Sequence, residues 1–224
     1  MVLQRLNEAF YFWRRHLGAL FLITAPFALL GEMVQWFLGP YFITNGAGQL
    51  LGLNATAMVV TLLLRPLGEG ALVVQLAAIH HDRWRGVWAC VLPALTLYPL
   101  LLVVYFVISL GMSIGFMLLV LPALWVYARL GFAPFRVMLN RESPLTALRG
   151  AFRQSASCQW PLMLTVLLAG GAVFLLMSLF SSLLVALLGD NAGVMLLTSL
   201  LATLGAALVN VVMFRFWLLQ GDES

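Results

Sequence analysis

The chain has 224 residues, of which 63% are hydrophobic and only 9% are charged. Its mean hydropathy is +1.02, so its apolar surface is too large to be hidden in one soluble core. This composition excludes an ordinary soluble domain and predicts an all-α polytopic protein whose helices use the bilayer as their solvent. We expect a single integral membrane domain over residues 1–224.

Apolar runs long enough to cross about 30 Å of hydrocarbon, which needs roughly 20 helical residues, recur six times. The connection between the first two runs is rich in Gly and Asn, and the other non-cytoplasmic connections, "LGMSIG" and "GDNAG", are short. The sequence therefore predicts a bundle of six transmembrane helices. The predicted spans are 17–38, 56–79, 87–109, 113–134, 161–187 and 194–218.

Residues 1–16 predict an amphipathic helix that lies in the membrane interface. Leu3, Leu6 and Phe10 recur at helical spacing, and polar residues lie on the other side of the helix. The apolar run that follows continues past Glu32 and has no A-x-A-like cleavage motif, so we expect a retained first span rather than a signal peptide.

The second predicted span contains "LLLRPLGEGAL", with Arg65, Pro66 and Glu69. An Arg at the centre of a span costs about 2.5–3.5 kcal/mol on insertion scales, so a partner is expected for Arg65. Glu69 lies one helical turn away, and Glu32 of the first span is at a compatible depth. We therefore predict an intramembrane charge cluster of Glu32, Arg65 and Glu69. It would staple spans one and two, line a hydrated cavity, or use Glu69 as a proton relay.

Two motifs resemble reactive sites but are not expected to act as such. "GMSIG", Gly111–Gly115, matches the nucleophile pattern of hydrolases, yet it lies in a predicted turn on the membrane face opposite the three histidines. "HHDRW", which begins at His80, offers two His and one Asp without further ligands, which is more typical of a polar cap anchored by tryptophan. We expect no catalytic residue, no metal and no cofactor.

A second amphipathic helix is predicted over 143–157, on the cytoplasmic side. Ser143 is expected as its N-cap and Pro144 as its first helical residue. Leu145, Leu148 and Phe152 share one face, and arginines lie on another. Such arginines attract anionic headgroups or an acidic segment of a partner. The predicted cytoplasmic basic patch consists of Arg136, Arg141, Arg149 and Arg153.

The arginines also predict an orientation, because the chain has twelve of them and no lysine. Eleven fall on one side of a six-span arrangement, and only Arg65 does not. We therefore expect both termini to be cytoplasmic. The pI of about 9.6 then reflects this bias and an affinity for anionic lipids, and nucleic-acid binding is not needed to explain it.

The segment "VLPALWVYARLGFAPFRVMLNRESPLTALRGAFRQSA", residues 120–156, resembles the YciC family, which is related to the membrane domain of glycerophosphodiester phosphodiesterases. The features that carry the resemblance are the Leu-Pro turn, the exit at Ala133 and Pro134, the short helix after Ser143, and the ending "VVMFRFWLLQ". The usual Gly after the Pro is Ala123 here. The resemblance implies a six-span protein of the bacterial inner membrane, and it carries no established activity.

The expected function is therefore non-catalytic. We expect the protein to engage membrane lipids, or another membrane protein, in an assembly or envelope-related role. The competing hypothesis is a small transporter or lipid translocator that uses Glu32, Arg65 and Glu69, although no second broken helix marks a transporter site. Asn210 in the sixth span is expected to bond a neighbouring helix rather than a substrate.

Overall fold

The computed structural model describes residues 2–44, 49–189 and 191–221. Helices dominate this part of the chain, which confirms the predicted all-α class, and two short strands form the only sheet within it. The elements are α1 (Val2–Arg15), α2 (Leu17–Leu38), β1 (Phe42–Thr44), β2 (Leu50–Leu53), α3 (Ala55–His80), α4 (Val87–Thr96), α5 (Tyr98–Leu118), α6 (Val120–Leu130), α7 (Ala133–Asn140), α8 (Pro144–Gln154), α9 (Gln159–Leu188) and α10 (Ala192–Gly221).

Five helices of the described chain are long and apolar enough to cross a membrane: α2, α3, α5, α9 and α10. Four of them cover the first, second, fifth and sixth predicted spans. The remaining stretch, from α4 to α7, departs from the prediction in the positions of its helix ends and of its turn.

The predicted turn at Leu110–Gly115 is wrong, because α5 continues through it to Leu118. The chain reverses at Leu119, whose backbone is extended. The glycines that suggested a turn serve helix packing instead. A Cβ built at Gly115 would lie 2.6 Å from the backbone of Ala123 in α6, so this residue lets α5 and α6 approach closely.

The predicted fourth span, 113–134, is not one helix. Its place is taken by α6 and α7, which are separated by Gly131 and Phe132. The predicted third span is likewise divided at Leu97, although the N–H of Leu101 still donates to the carbonyl of Leu97. A Cβ built at Gly70 would contact Leu101, Ala94 and Met138, so α3, α4, α5 and α7 converge at this glycine.

The loop between α2 and α3 contains an antiparallel hairpin in which Ile43 is paired with Gly52. Asn54 follows the hairpin and caps α3, because its side-chain oxygen accepts the N–H of Ala57 at 3.1 Å. Its Nδ2 donates to the carbonyl of Leu38 at 2.6 Å. This one side chain therefore ties the start of α3 to the end of α2.

Helix α1 is docked lengthwise on α10. The indole Nε1 of Trp13 donates to the carbonyl of Leu204 at 2.9 Å. Oε2 of Glu8 forms an ion pair with Nη2 of Arg215 at 3.8 Å. Leu204 is about 25 Å from the end of α10 at 1.5 Å per residue. The contacts of α1 thus extend from near the end of α10 to its middle.

The two ends of the bundle differ in packing. We call the end formed by residues 80–87, 140–159 and 215–221 the arginine-rich end, and the end formed by 38–44, 49–55, 118–120, 188–189 and 191–192 the hairpin end. Near the arginine-rich end, Phe135, Phe214 and Trp217 stack with ring centroids 5.9–6.0 Å apart. The core is therefore concentrated in this half of the molecule.

Candidate functional site

Helix α3 carries the two charges at the centre of the bundle. The helix continues through Pro66, although proline removes one backbone donor and thereby disturbs the helical hydrogen bonds around it. One turn of α3 lies between Arg65 and Glu69, so both side chains project from nearly the same face. Near this point the hydroxyl of Tyr98 in α5 donates to the carbonyl of Leu63 at 2.8 Å, which holds α5 against the proline-containing turn.

Both oxygens of the Glu69 carboxylate have partners. Arg65 Nε lies 3.6 Å from Glu69 Oε1, which is an ion pair too long for a good hydrogen bond. Asn210 Nδ2 of α10 donates to Glu69 Oε2 at 2.7 Å. The strongest bond of the cluster therefore joins α3 to α10, and it confirms that Asn210 bonds a neighbouring helix.

A cavity of about 300 Å³ opens beside this cluster, between α2, α3 and α10. The side chain of Arg65 is 60% exposed and that of Glu69 is 21% exposed, so the guanidinium, more than the carboxylate, faces open space. The lining of the cavity combines these two charged side chains with threonines and with apolar or small residues. The lining residues are Thr24, Phe27, Gly31, Thr61, Leu64, Arg65, Gly68, Glu69, Leu72, Thr203, Ala206, Ala207 and Asn210.

A second, smaller space of about 30 Å³ adjoins the same cluster on the side of α5, α6 and α7. Tyr105 of α5, Tyr127 of α6 and Ser109 line it together with Arg65 and Glu69. Sequence reasoning missed the two tyrosines. Single aromatic residues in apolar spans gave no signal, and only the antiparallel packing of α5 and α6 turns both of them toward α3.

Glu32, the third predicted member of the cluster, does not join it. Its side chain is buried on α2, and its Oε1 lies 3.5 Å from Gln35 Nε2 of the same helix. The preceding residue, Gly31, lines the cavity, and successive helical residues point about 100° apart. Among the described residues Glu32 makes no ion pair with Arg65 and does not line the cavity, which depth matching along straight helices did not reveal.

This geometry corrects the proposed staple between spans one and two. Within the described residues, the ion pair of Arg65 is made with Glu69 of its own helix, so it does not connect α3 to α2. The exposed guanidinium and the adjacent cavity agree instead with the hypothesis of a polar space inside the bundle. The charge cluster of this structure consists of Arg65 and Glu69, with Asn210 as its third polar member.

The predicted basic patch also loses a member. Arg136 is held by Glu142 through Nε at 2.9 Å and Nη2 at 2.9 Å, and its Nη1 donates to Gln154 at 3.0 Å. A Cβ at Gly150 of α8 would lie 2.5 Å from its guanidinium. Arg136 therefore joins α7 to α8 as a structural cross-link, and its charge is neutralised by a nearby carboxylate that was left out of the prediction.

The other three arginines of the patch, Arg141, Arg149 and Arg153, are exposed. Helix α8 presents Ala147 and Ala151 to the bundle, since both are fully buried. Of its larger apolar side chains, Leu148 packs against the core, whereas Phe152 is 41% and Leu145 is 68% exposed. The helix thus has a small-residue face toward the protein and, beside its arginines, apolar surface that the bundle covers only in part.

The two motifs that resemble reactive sites have ordinary surroundings. Gly111–Gly115 lies inside α5 and not on the strand, turn and helix that the hydrolase motif needs. His80 packs edge to face on Phe214, with ring centroids 6.0 Å apart. Neither motif contributes to the lining of the larger cavity, and Met112 of the first motif lines the smaller space.

Comparisons of the chain with known proteins found no similar protein. No family model matches the chain, and no curated protein or solved structure shows a significant similarity to it.

Proposed function

We propose that this chain is a non-catalytic multi-pass membrane protein that binds a membrane lipid, or a similar amphiphile, in the cavity beside Arg65. The observation that carries the proposal is the exposed guanidinium of Arg65 at the edge of a cavity of about 300 Å³. A cation at mid-span is costly, and the 3.6 Å contact with Glu69 satisfies it only in part. An acceptor group on a ligand would complete its hydrogen bonding.

The proposal includes six crossings of the membrane. Helices α4 and α5 would form one crossing, because backbone hydrogen bonds continue past Leu97. Helices α6 and α7 would form the return crossing. They run back along α5 from the contact of Gly115 with Ala123 to the place where Met138 meets Leu101 beside Gly70, and the 21 residues from 120 to 140 are enough for one crossing.

Orientation and cellular location belong to the same proposal. Eleven of the twelve arginines lie on one side of the six-crossing arrangement, which supports cytoplasmic termini. The resemblance to the YciC family supports a bacterial inner membrane. The outward apolar face of α8 supports an interfacial position for that helix. For α1, the 73% exposure of Leu3 supports an interfacial position of its first turn.

The cavity has the size and chemistry of a site for part of an amphiphile. Its volume is at the lower end of the range of small-ligand pockets, about 300–1,000 Å³, so it would hold a headgroup or a chain segment and not a whole phospholipid. Arg65 and the threonines at positions 24, 61 and 203 supply polar groups, and Phe27 and Leu72 supply apolar surface. Such a mixed lining suits a ligand with a polar group joined to a hydrocarbon chain.

Copurification tests the proposal. The protein is extracted from native membranes in mild detergent, and bound lipids and proteins are identified by mass spectrometry. We expect one lipid class to be enriched and its amount to fall about tenfold in Arg65→Gln, the change that corresponds to losing one charged hydrogen bond. Arg141→Gln, which removes an exposed arginine outside the cavity lining, is the matched control.

Equal lipid content in the wild type, Arg65→Gln and Arg141→Gln would contradict the proposal. A stoichiometric protein that copurifies without lipid enrichment would support the assembly role instead. If Arg65→Leu lowers stability and an Arg65→Leu/Glu69→Leu double variant restores it, the pair has a structural role within α3.

A lipid translocator is the second candidate, and one observation favours it. Arg65 and Glu69 line spaces on both sides of α3, so a polar group would meet the same two charges from either side. In proteoliposomes with a fluorescent lipid, Glu69→Gln should then abolish transfer between leaflets while the variant still folds and binds lipid. Unchanged transfer in Glu69→Gln would exclude a translocator that depends on this carboxylate.

A further inference from the structure

A second cation of the bundle is buried and has no counter-ion among the residues that the structure describes. Arg129 lies in the last turn of α6, and its residue surface is only 8% exposed. Its guanidinium carbon lies 3.8 Å from the centre of the Phe152 ring of α8 and 5.7 Å from the Trp125 ring. Its backbone carbonyl accepts a hydrogen bond from Ser155 at 3.0 Å. Helix α8 therefore fixes both the backbone and the side chain of Arg129.

Stacking uses the faces of the guanidinium but leaves its edge free. The N–H donors of arginine point outward in the plane of the group. Within the described part of the chain, the arginine ion pairs involve Glu8, Glu69 and Glu142, and none of them includes Arg129. Its Nε has no hydrogen-bond partner there. A buried cation of this kind is costly unless an anion completes it.

Two further cations lie next to the same stack. Arg149 is one helical turn before Phe152, and Arg153 follows it directly; both are exposed and take part in no ion pair among the described residues. Leu145 of the same helix and Trp160 near the start of α9 add exposed apolar surface at this end, with 68% and 64% exposure. An anion bound here would therefore sit where arginines meet apolar surface, as a phosphate does at the boundary of a bilayer.

We propose that Arg129, Arg149 and Arg153 form a binding site for a phosphate group, which the headgroup of an anionic lipid would supply. Guanidinium groups bind phosphate through paired, charge-assisted hydrogen bonds, and the stack on Phe152 orients the edge of Arg129 before the ligand arrives. Arg136, by contrast, already has its carboxylate and is not part of the site. This site is separate from the Arg65 cavity and does not depend on the function proposed for it.

Native mass spectrometry of the detergent-purified full chain tests this site. Phosphatidylglycerol is titrated against diacylglycerol with the same acyl chains, which lacks the phosphate. We expect phosphatidylglycerol to bind preferentially, and its apparent affinity to fall at least about tenfold in Arg129→Gln and in Arg149→Gln/Arg153→Gln. Arg83→Gln/Arg85→Gln, which removes two exposed arginines of the same end, should change it less than about threefold if only general attraction is lost.

Competition with inorganic phosphate shows whether the site binds free phosphate as well as the phosphate of a lipid headgroup. Displacement of the lipid by millimolar phosphate would show that the site takes phosphate from either source, and persistence of the lipid would show that its chains contribute. Unchanged lipid binding in folded Arg129→Gln, or an equal loss in the Arg83→Gln/Arg85→Gln control, would overturn the proposal. If Arg129→Gln fails to fold, the loss of phosphatidylglycerol binding in Arg149→Gln/Arg153→Gln tests the proposal instead. Arg65→Gln, which changes the separate cavity, should leave the binding at this site unchanged.

Discussion

The arginine-rich end and the hairpin end of this bundle are built from the same apolar residue types but are packed differently. Near the first, Phe135 and Phe214 are each 1% exposed, and Ser157 Oγ donates to Gln220 Oε1 at 2.7 Å. Near the second, Phe37 is 80% and Met117 is 87% exposed. The difference shows that hydrophobicity alone does not indicate which side chains meet protein and which would meet lipid.

Stability and ligand binding depend on different parts of the bundle. The interlocked aromatic core lies toward the arginine-rich end, while the cavity beside Arg65 lies in the middle of the bundle, between α2, α3 and α10. Open space in a packed protein lowers stability, so a cavity lined by a charge is retained at a cost. We infer that the core maintains the fold while the cavity remains free to accept a ligand.

The largest effect is expected from removing the centre of the aromatic core. Phe214→Ala would leave a void between Phe135, Trp217 and His80 and should lower the free energy of unfolding by about 3–5 kcal/mol. Phe174→Ala is the matched control, because this phenylalanine of α9 is 72% exposed and should change stability by less than about 0.5 kcal/mol. Thermal unfolding in detergent measures both, and equal losses would contradict the view that Phe214 belongs to a tightly packed core while Phe174 does not.

The next effect tests the closest contact near the hairpin end. In Gly115→Ala the new Cβ would meet the backbone of Ala123 at 2.6 Å, which cannot move aside as a side chain can. We expect a loss of about 2–3 kcal/mol. Gly171→Ala in α9 is the control, since nothing lies within 4 Å of its added Cβ and alanine favours helix. A stable Gly115→Ala variant would show that α5 and α6 do not pack so closely.

A smaller effect is expected from the cross-link between α7 and α8. Arg136→Gln removes the ion pair with Glu142, whose side chains are 23% and 18% exposed, and should cost about 1.5 kcal/mol. Arg141→Gln removes an exposed arginine of the same connection and should have almost no effect. A double-mutant cycle with Glu142→Gln measures the coupling; zero coupling energy would mean that the contact does not contribute to stability.

The smallest effect concerns the bond between α3 and α10. Asn210→Leu removes the donor to Glu69 and should lower stability by only about 0.6 kcal/mol, the average for hydrogen bonds between membrane helices. Lipid copurification should change more than stability does, because Glu69 would be free to draw Arg65 away from the cavity. A large loss of stability with unchanged lipid content would instead assign the cluster to the scaffold.

Several features followed from local sequence because they depend on neighbouring residues only. Apolar length predicted α2, α3, α9 and α10, and helical spacing placed Arg65 beside Glu69. The hairpin of β1 and β2, by contrast, does not follow from the sequence, which predicts only a loop there. Gly111 and Gly115 suggest a turn in the sequence, because a sequence does not show whether a small residue ends a helix or allows another helix to approach.

What the sequence by itself determined is the class of the protein and the position of its charges along the chain, since hydropathy and helical period are properties of short segments. The tertiary structure alone decided the partners of those charges. It paired Arg136 with Glu142, Glu69 with Asn210 and Arg129 with the ring of Phe152, and it left Glu32 outside the charge cluster. Each of these outcomes depends on the rotation and approach of whole helices, which no short segment specifies.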